Sequence, residues 1–327
     1  MQGMELAQFC STSRVVIVAG KGGVGKTTVT AALAVAAART GMSVLIVEVE
    51  GKSGLAAAFD RPALTYEETP LDDGILARTL TSDAALIDYL ESHGMKRISK
   101  RLAASGALDV VATAVPGMKD ILVLGKVKSL EQTAGADLII LDAPAAGHAI
   151  TFLLSARGLI DAVRVGPVRK QAQDVVELLS DPQRCQVMLV TIPEETPVNE
   201  LVDTAFAIED RAGVALGPVV VNGCYDAPAF TDAEASAEAI AADAVALDRF
   251  VSPREAEDLA RAASFRAARY AIQQEQAARL ADRLPLPQIR LPFLFSAALG
   301  RREIHHLADV LTTGIENLPA PSAIGSR

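Results

Sequence analysis

Gly20-Lys21-Gly22-Gly23-Val24-Gly25-Lys26-Thr27-Thr28 is the stretch whose reading decides the fold. It directly follows the β-branched run at 15–19 (VVIVA) and precedes an alanine-rich segment at 26–40 that Gly41 stops. A strand that feeds a helix through GxxxxGK[ST] is the context in which this motif acts. The glycines let successive backbone N–H groups turn inward around a phosphate, and the helix N-terminus adds partial positive charge. Gly20, Gly22, Gly23, Val24 and Gly25 then form the cradle. Lys26 faces the β- and γ-phosphates, Thr27 ligates Mg²⁺ through its hydroxyl, and Thr28 touches the α-phosphate. The bland alternative is a glycine-rich turn in an unrelated strand–helix unit.

Working outward, strand and helix patterns recur along the chain, which predicts an α/β fold with a doubly wound, mostly parallel sheet covered on both faces. Besides 15–19, strands are expected at 43–49, 137–141, 186–192, 218–221 and 288–291. Between about 56 and 128 the pattern is irregular, with short helices at 82–91 and 96–104 and a candidate strand at 108–113. This stretch either caps the sheet or forms a small helical insertion. Residues 253–284 form one long helix or two in series, ended by Pro285 and Pro287. From about 314 to 327 the chain looks like a flexible tail. The expectation is a single domain over 1–327.

Half of the 327 residues are apolar and 22% are charged, enough for a substantial core. A formal charge of −9 argues against nucleic acid or an anionic membrane as the main partner. The three cysteines, Cys10, Cys185 and Cys224, form no CxxC, so no zinc site is expected within the chain. Widely spaced thiols suit a reducing compartment, and no signal peptide or bilayer-length apolar stretch is read, so a cytoplasmic location without membrane insertion is expected.

Lys21 sharpens the reading. A second lysine early in the loop resembles the deviant Walker A motif GKGGxGK[ST], shared by arsenical pump-driving, tail-anchored-protein-targeting, chromosome-partition and division-site ATPases and nitrogenase iron protein. The resemblance implies the SIMIBI class of P-loop NTPases, and that Lys21 reaches across a dimer interface to the partner's nucleotide. The segment 137–154 (DLIILDAPAAGHAITFLL) resembles the DTAPTGHTLRFL stretch of the arsenical pump and tail-anchor ATPases. An apolar strand ending in an acid gives Asp142 the Walker B role on Mg²⁺, and His148 falls in the loop that senses the γ-phosphate. VVVN at 219–222 resembles the strand that ends in an adenine-binding asparagine, here Asn222, whose amide donates and accepts side by side. LPF at 291–293 resembles the loop closing over the base, with Pro292 and Phe293. VTIPEE at 190–195 and Pro116-Gly117 with Asp120 extend the match, which runs in order from about 14 to 310. The chain is thereby similar to the ArsA-like family of ATPases, with ATP/ADP and Mg²⁺ as implied ligands.

Three departures bear on function. Where the family carries DPAHN, this chain reads Glu48-Val49-Glu50-Gly51-Lys52-Ser53, so Glu50 stands in for the water-orienting aspartate. One extra methylene shifts the oxygens by about 1 Å, and misplacement on that scale can cost about 100-fold in rate. This VEVEG form resembles one subunit type of paired bacterial members that work beside a paralogue. Second, 155–185 is short for the client groove of targeting ATPases, and the six methionines are scattered. Third, dispersed thiols suit neither a cross-dimer zinc site nor metalloid capture.

Two readings follow. The first is a dimeric ATP-binding and ATP-hydrolysing switch, with Lys21, Lys26, Glu50 and Asp142 in catalysis, Thr27 and Asp142 on the metal, and an unidentified protein cargo or membrane-protein partner. The second is a weakly or non-hydrolysing subunit that works only in a heterodimer with a paralogous ATPase. A partition or septum-placing ATPase would want a basic amphipathic C-terminal helix, and 301–318 mixes both charges.

Overall fold

The computed structural model describes residues 5–49, 54–105, 117–228 and 236–319. Its frame is one sheet in which the described strands number nine. They are β1 (Val15–Gly20), β2 (Val44–Val49), β3 (Thr69–Asp72), β4 (Ile75–Leu80), β5 (Leu138–Ala145), β6 (Cys185–Thr191), β7 (Ala215–Leu216), β8 (Val219–Cys224) and β9 (Gln288–Pro292). The spatial order is β3-β4-β2-β5-β1-β6-β8-β9, with β7 also paired to β6. Every described pairing except β3–β4 is parallel.

The central strands are apolar at consecutive positions because both faces are covered. Val15, Ile17, Leu45, Val47, Ile139 and Leu141 point into one core. There they meet α6 (Met118–Thr133), α7 (Ala146–Ala162), α8 (Pro167–Ser180) and α9 (Glu195–Phe206). Val16, Val18, Val44, Ile46, Ile140 and Met188 point the other way. They pack on α1 (Leu6–Thr12), α2 (Lys26–Arg39) and α12 (Arg301–Glu316). Helix α2 is rich in alanine and buries ten of its residues; small side chains let it lie close against the strands behind the glycine loop. The expected doubly wound sheet is therefore present.

The stretch 56–128 holds more sheet than the sequence reading expected. After a short α3 (Gly54–Ala58) come β3 and β4, then α4 (Ser82–Ser92) and α5 (Lys96–Ser105). Strand β4 extends the sheet in parallel with β2, and β3 turns back antiparallel as its edge. The connecting residues are Asp73 and Gly74, with Gly74 at φ 72°, a hairpin signal of the Asp-Gly kind. Pro70 in β3 and Arg78 in β4 obscured it. Arg78 is buried because its guanidinium lies 4.4 Å from the Tyr66 ring centre and 3.5 Å from Glu68. The candidate strand 108–113 and the Pro116 signal lie outside the described residues.

Residues 253–284 resolve as one helix, α11 (Pro253–Arg283), preceded by α10 (Ala237–Ala246). A capping box starts α11: Ser252 Oγ accepts from the Glu255 backbone N–H and the Glu255 carboxylate accepts from that of Ser252.

The tail boundary expected near 314 is corrected. Helix α12 continues to Glu316, and Ile315 and Leu318 are buried in the α2-side core. Gly314 permits this, since a Cβ there would press on the Ile289 side chain of β9. Residues 320–327 lie outside the described set.

At the other end of α12, Asp72 accepts from His305 Nε2 at 2.9 Å and pairs with Arg301. Burial alone would raise the Asp72 carboxyl, but the His305 hydrogen bond, the Asp73 backbone N–H and the Arg301 charge together hold it below its ordinary value. A depressed folded-state value adds stability above the unfolded value of about 3.9, and that contribution fades as pH falls through the folded value. Asp72→Asn is therefore expected to cost roughly 1–3 kcal/mol at pH 7. Urea unfolding should show the gap between variant and wild type closing on acidification below about pH 4.

Candidate functional site

Strand β1 ends at Gly20 because nothing larger fits: a Cβ there would run into the Val190 carbonyl of β6. The loop then turns through Gly23 at φ 84° and Gly25 at φ 91°, both left-handed positions that favour glycine. Around Gly23 a Cβ would meet nothing within 4 Å, so the loop wall is open there. Gly25 is the N-cap of α2, and a Cβ on it would collide with the Asn222 amide.

Within this loop Lys26 is almost wholly buried, at 7% exposure, and its Nζ donates to the Lys21 carbonyl at 3.0 Å. Thr27 Oγ1 donates to Asp142 Oδ2 at 2.6 Å. Asp142 stands on β5, the central neighbour of β1, in register with Val18. Loop, helix start and the acid of β5 thus converge, and β5 runs past Asp142 to Ala145, where the sequence reading ended the strand before it. A hydroxyl against a carboxylate is an all-oxygen donor set that suits a hard cation such as Mg²⁺, and the open glycine cradle beside it suits a phosphate. The residues present therefore fit a magnesium nucleotide.

Lys21 points away from this cluster. Its Nζ lies 2.7 Å from Glu200 Oε1 on α9, with the side chains 40% and 44% exposed. Such an exposed pair is worth about 0–1 kcal/mol, so it holds the lysine loosely. Glu200 was not singled out from sequence, since the acidic turn after β6 carried no spacing signal toward Lys21.

Asn222, expected at the adenine, sits behind the loop: its Nδ2 donates to the Val24 carbonyl at 2.9 Å. One amide donor is therefore spent on bracing the cradle. Pro292 and Phe293 lie where β9 pairs with the end of β8, opposite Cys224. Phe293 is half exposed and meets Tyr225 edge-on at 5.1 Å and Phe295 at 4.9 Å. The Arg266 guanidinium of α11 lies 5.7 Å from the Phe295 ring centre. The sequence reading did not include Tyr225, Phe295 or Arg266, which come from three separated segments.

Glu50 lies outside the described residues. His148 lies in the first turn of α7, and its side chain also lies outside them. Two residues before Glu50, Glu48 is buried at 1% exposure, and its Oε2 accepts from Thr79 Oγ1 at 3.0 Å. It stands in register with Asp142 on β5. Sequence reasoning passed over it, although an acid following the core run VLIV is an audible signal.

The thiols do not gather. Strands β6 and β8 are neighbours, but Cys185 begins one and Cys224 ends the other; at the rise per residue of a strand they are roughly 30 Å apart. Burial pushes Cys10 and Cys185 up to about 12 and Cys224 up to about 11. Among the described residues, no group of three or more His, Cys, Asp or Glu side chains could hold a metal ion, and no helix is long and apolar enough to cross a membrane.

Comparison with known proteins finds relatives over this part of the chain. The profile of a family described as anion-transporting ATPase matches residues 13–164. The protein named ATPase BagA from Mycobacterium tuberculosis is 35% identical over 223 residues, which cover 64% of this chain and 64% of that protein. Proteins named ATPase GET3 from Paracoccidioides lutzii and ATPase get3 from Schizosaccharomyces japonicus are 29% and 27% identical over 147 and 139 residues. Those matches cover 43% and 42% of this chain, and 42% of each fungal protein. The matched region carries the glycine loop, β2 and the Asp142 strand, and over it the chain is similar to the ArsA-like ATPase family.

Proposed function

We propose that this protein is a cytoplasmic Mg²⁺-dependent ATPase whose nucleotide state sets the geometry of paired protomers and, through it, an unidentified protein cargo or membrane-protein partner. The observation that carries the reading is the Thr27–Asp142 contact of 2.6 Å beside a buried Lys26 at the mouth of an open glycine loop. Bound there, the magnesium nucleotide supplies the phosphoanhydride to be cleaved and a cation that neutralises its phosphates. Lys26 and the loop amides bind the phosphates, and Thr27 with Asp142 holds the cation. Glu50 positions the attacking water, Asn222 braces the loop beneath the nucleotide, and Phe293 with Pro292 borders the base. Lys21 leaves its weak contact with Glu200 for the phosphates of the partner protomer, so each site is complete only in the pair.

One residue favours a second reading. Glu50 is a methylene longer than the aspartate of DPAHN, and a chain built this way hydrolyses slowly or serves as the binding half of a heterodimer with a paralogous ATPase. Steady-state ATP turnover across a wide range of protein concentration, with mass measured in parallel, separates the two. Turnover that rises with the dimer population and disappears in Glu50→Gln is the expected result for a self-sufficient homodimer. Tight ATP binding without turnover at any concentration would replace the first reading by the second. Absence of ATP binding would overturn both.

A further inference from the structure

The cation site, on the reading just given, has one acidic residue from the sequence pattern, Asp142. The sheet places a second one beside it. Glu48 on β2 and Asp142 on β5 are register partners on adjacent parallel strands, about 5 Å apart at the spacing of strands. Residues in register on neighbouring strands face the same side of a sheet. Thr79 on β4 is the next partner along the row, in register with Glu48, and its hydroxyl donates to Glu48 Oε2 at 3.0 Å, fixing that orientation. The alternation of the flanking residues assigns the side: Val44 and Ile46 belong with Ile140 and Val18 to the core under α2. Thr27, in the first turn of α2, reaches Asp142 on that same side. Glu48 and Asp142 are 1% and 0% exposed.

We infer that Glu48 is a positioning residue of the magnesium site, a buried second carboxylate that sets the charge of the site and thereby its affinity for the cation. This role rests on the magnesium nucleotide of the proposed function. Two carboxylates brought together out of water repel unless positive charge joins them. A divalent cation between Thr27, Asp142 and the phosphates relieves that repulsion, and so is held more tightly than one acid alone would hold it. Water positioning does not suit Glu48, because its side chain is closed off from solvent and tied to Thr79. Thr79 is the device that keeps the carboxylate aimed along the row, as outer partners of metal ligands do.

The test measures metal binding and not turnover. Mn²⁺ affinity is read by electron paramagnetic resonance on the full chain with a non-hydrolysable ATP analogue. In parallel, affinity for a fluorescent ATP analogue is read with Mg²⁺ and with EDTA. Glu48→Gln, nearly isosteric and still able to accept from Thr79, is expected to weaken Mn²⁺ binding roughly 10–100-fold. Its nucleotide affinity in EDTA should remain that of wild type. Glu48→Asp, which keeps the charge but withdraws it, should fall between the two, and it carries the test should the glutamine variant fail to fold. Wild-type Mn²⁺ affinity in Glu48→Gln, alongside a loss in Asp142→Asn, would overturn the inference and leave the nucleotide site standing. A wild-type protein that binds nucleotide equally with Mg²⁺ and with EDTA would instead sink the magnesium reading, and this inference with it.

Discussion

Lys21→Ala is expected to bind ATP as the wild type does and to lose turnover by roughly 10³–10⁵-fold, the range seen when a positive charge supplied in trans is removed from a phosphoryl-transfer site. The selectivity of that effect follows from where the side chain sits. Lys21 contributes its carbonyl to the loop, where it accepts from Lys26, but its ammonium lies against Glu200 and outside the cluster of Lys26, Thr27 and Asp142. Truncation at Cβ leaves the carbonyl in place, so the cradle for a nucleotide bound in the same chain is intact. Fold stability should scarcely move, because an ion pair this exposed contributes about 0–1 kcal/mol. Glu200→Gln provides the counterpart. It releases Lys21 from its resting contact, and turnover at a fixed protein concentration should stay level or rise. Equilibrium titration with a fluorescent nucleotide and a coupled turnover assay measure both. Undiminished turnover in Lys21→Ala would end the trans role, and a loss of binding equal to the loss of turnover would place the ammonium in its own chain's site.

These effects could be argued from sequence to an uneven degree, and the unevenness has a physical cause. The glycine loop was legible because its chemistry is local: a strand, left-handed glycines, a lysine and a hydroxyl follow one another along the chain, and neighbours in sequence are neighbours in the site. Asp142 was legible as the acid that follows the apolar run at 138–141. The β3–β4 hairpin was not, although Asp73-Gly74 marked it, because Arg78 broke the apolar run. Its burial is made tolerable by Tyr66 and Glu68, which no periodicity reveals. Glu48 was overshadowed by Glu50, the residue that the family pattern pointed to. Which strands end side by side decides its importance, and the register of β2 with β5 is a property of the assembled sheet. The same holds for Glu200 opposite Lys21, and for Asn222, whose bond to the Val24 carbonyl spans the chain from β8 back to the loop. The supposed loose tail was misjudged for a related reason. ENLPAP looks like loop composition, yet Ile315 and Leu318 close the far end of the α2-side core.

Lys26→Ala is expected to lose turnover as Lys21→Ala does but by another route, weakening the hold on the phosphates in the same chain. Loss of one preorganised charged donor costs roughly 10²–10³-fold, and here the donor is buried, at 7% exposure. Its bond to the Lys21 carbonyl also fixes the turn, so the variant loses both a ligand and part of the cradle's shape. Lys26→Arg should not restore function, since a planar fork has no room where a single ammonium is enclosed. The two lysines then allow a decisive mixture. A Lys21→Ala protomer keeps a sound site but offers its partner nothing, and a Lys26→Ala protomer has a ruined site but still carries Lys21. If the chain pairs with itself, mixing the two inactive variants should bring back turnover that neither has alone, confined to the site of the Lys21→Ala protomer. If each variant is inactive and the mixture stays so while the wild type alone turns over, Lys21 acts within its own chain. If the wild type is also silent, the missing lysine belongs to a paralogue, and adding a single active-site lysine variant of that second protein would show which of the two subunits holds the working site.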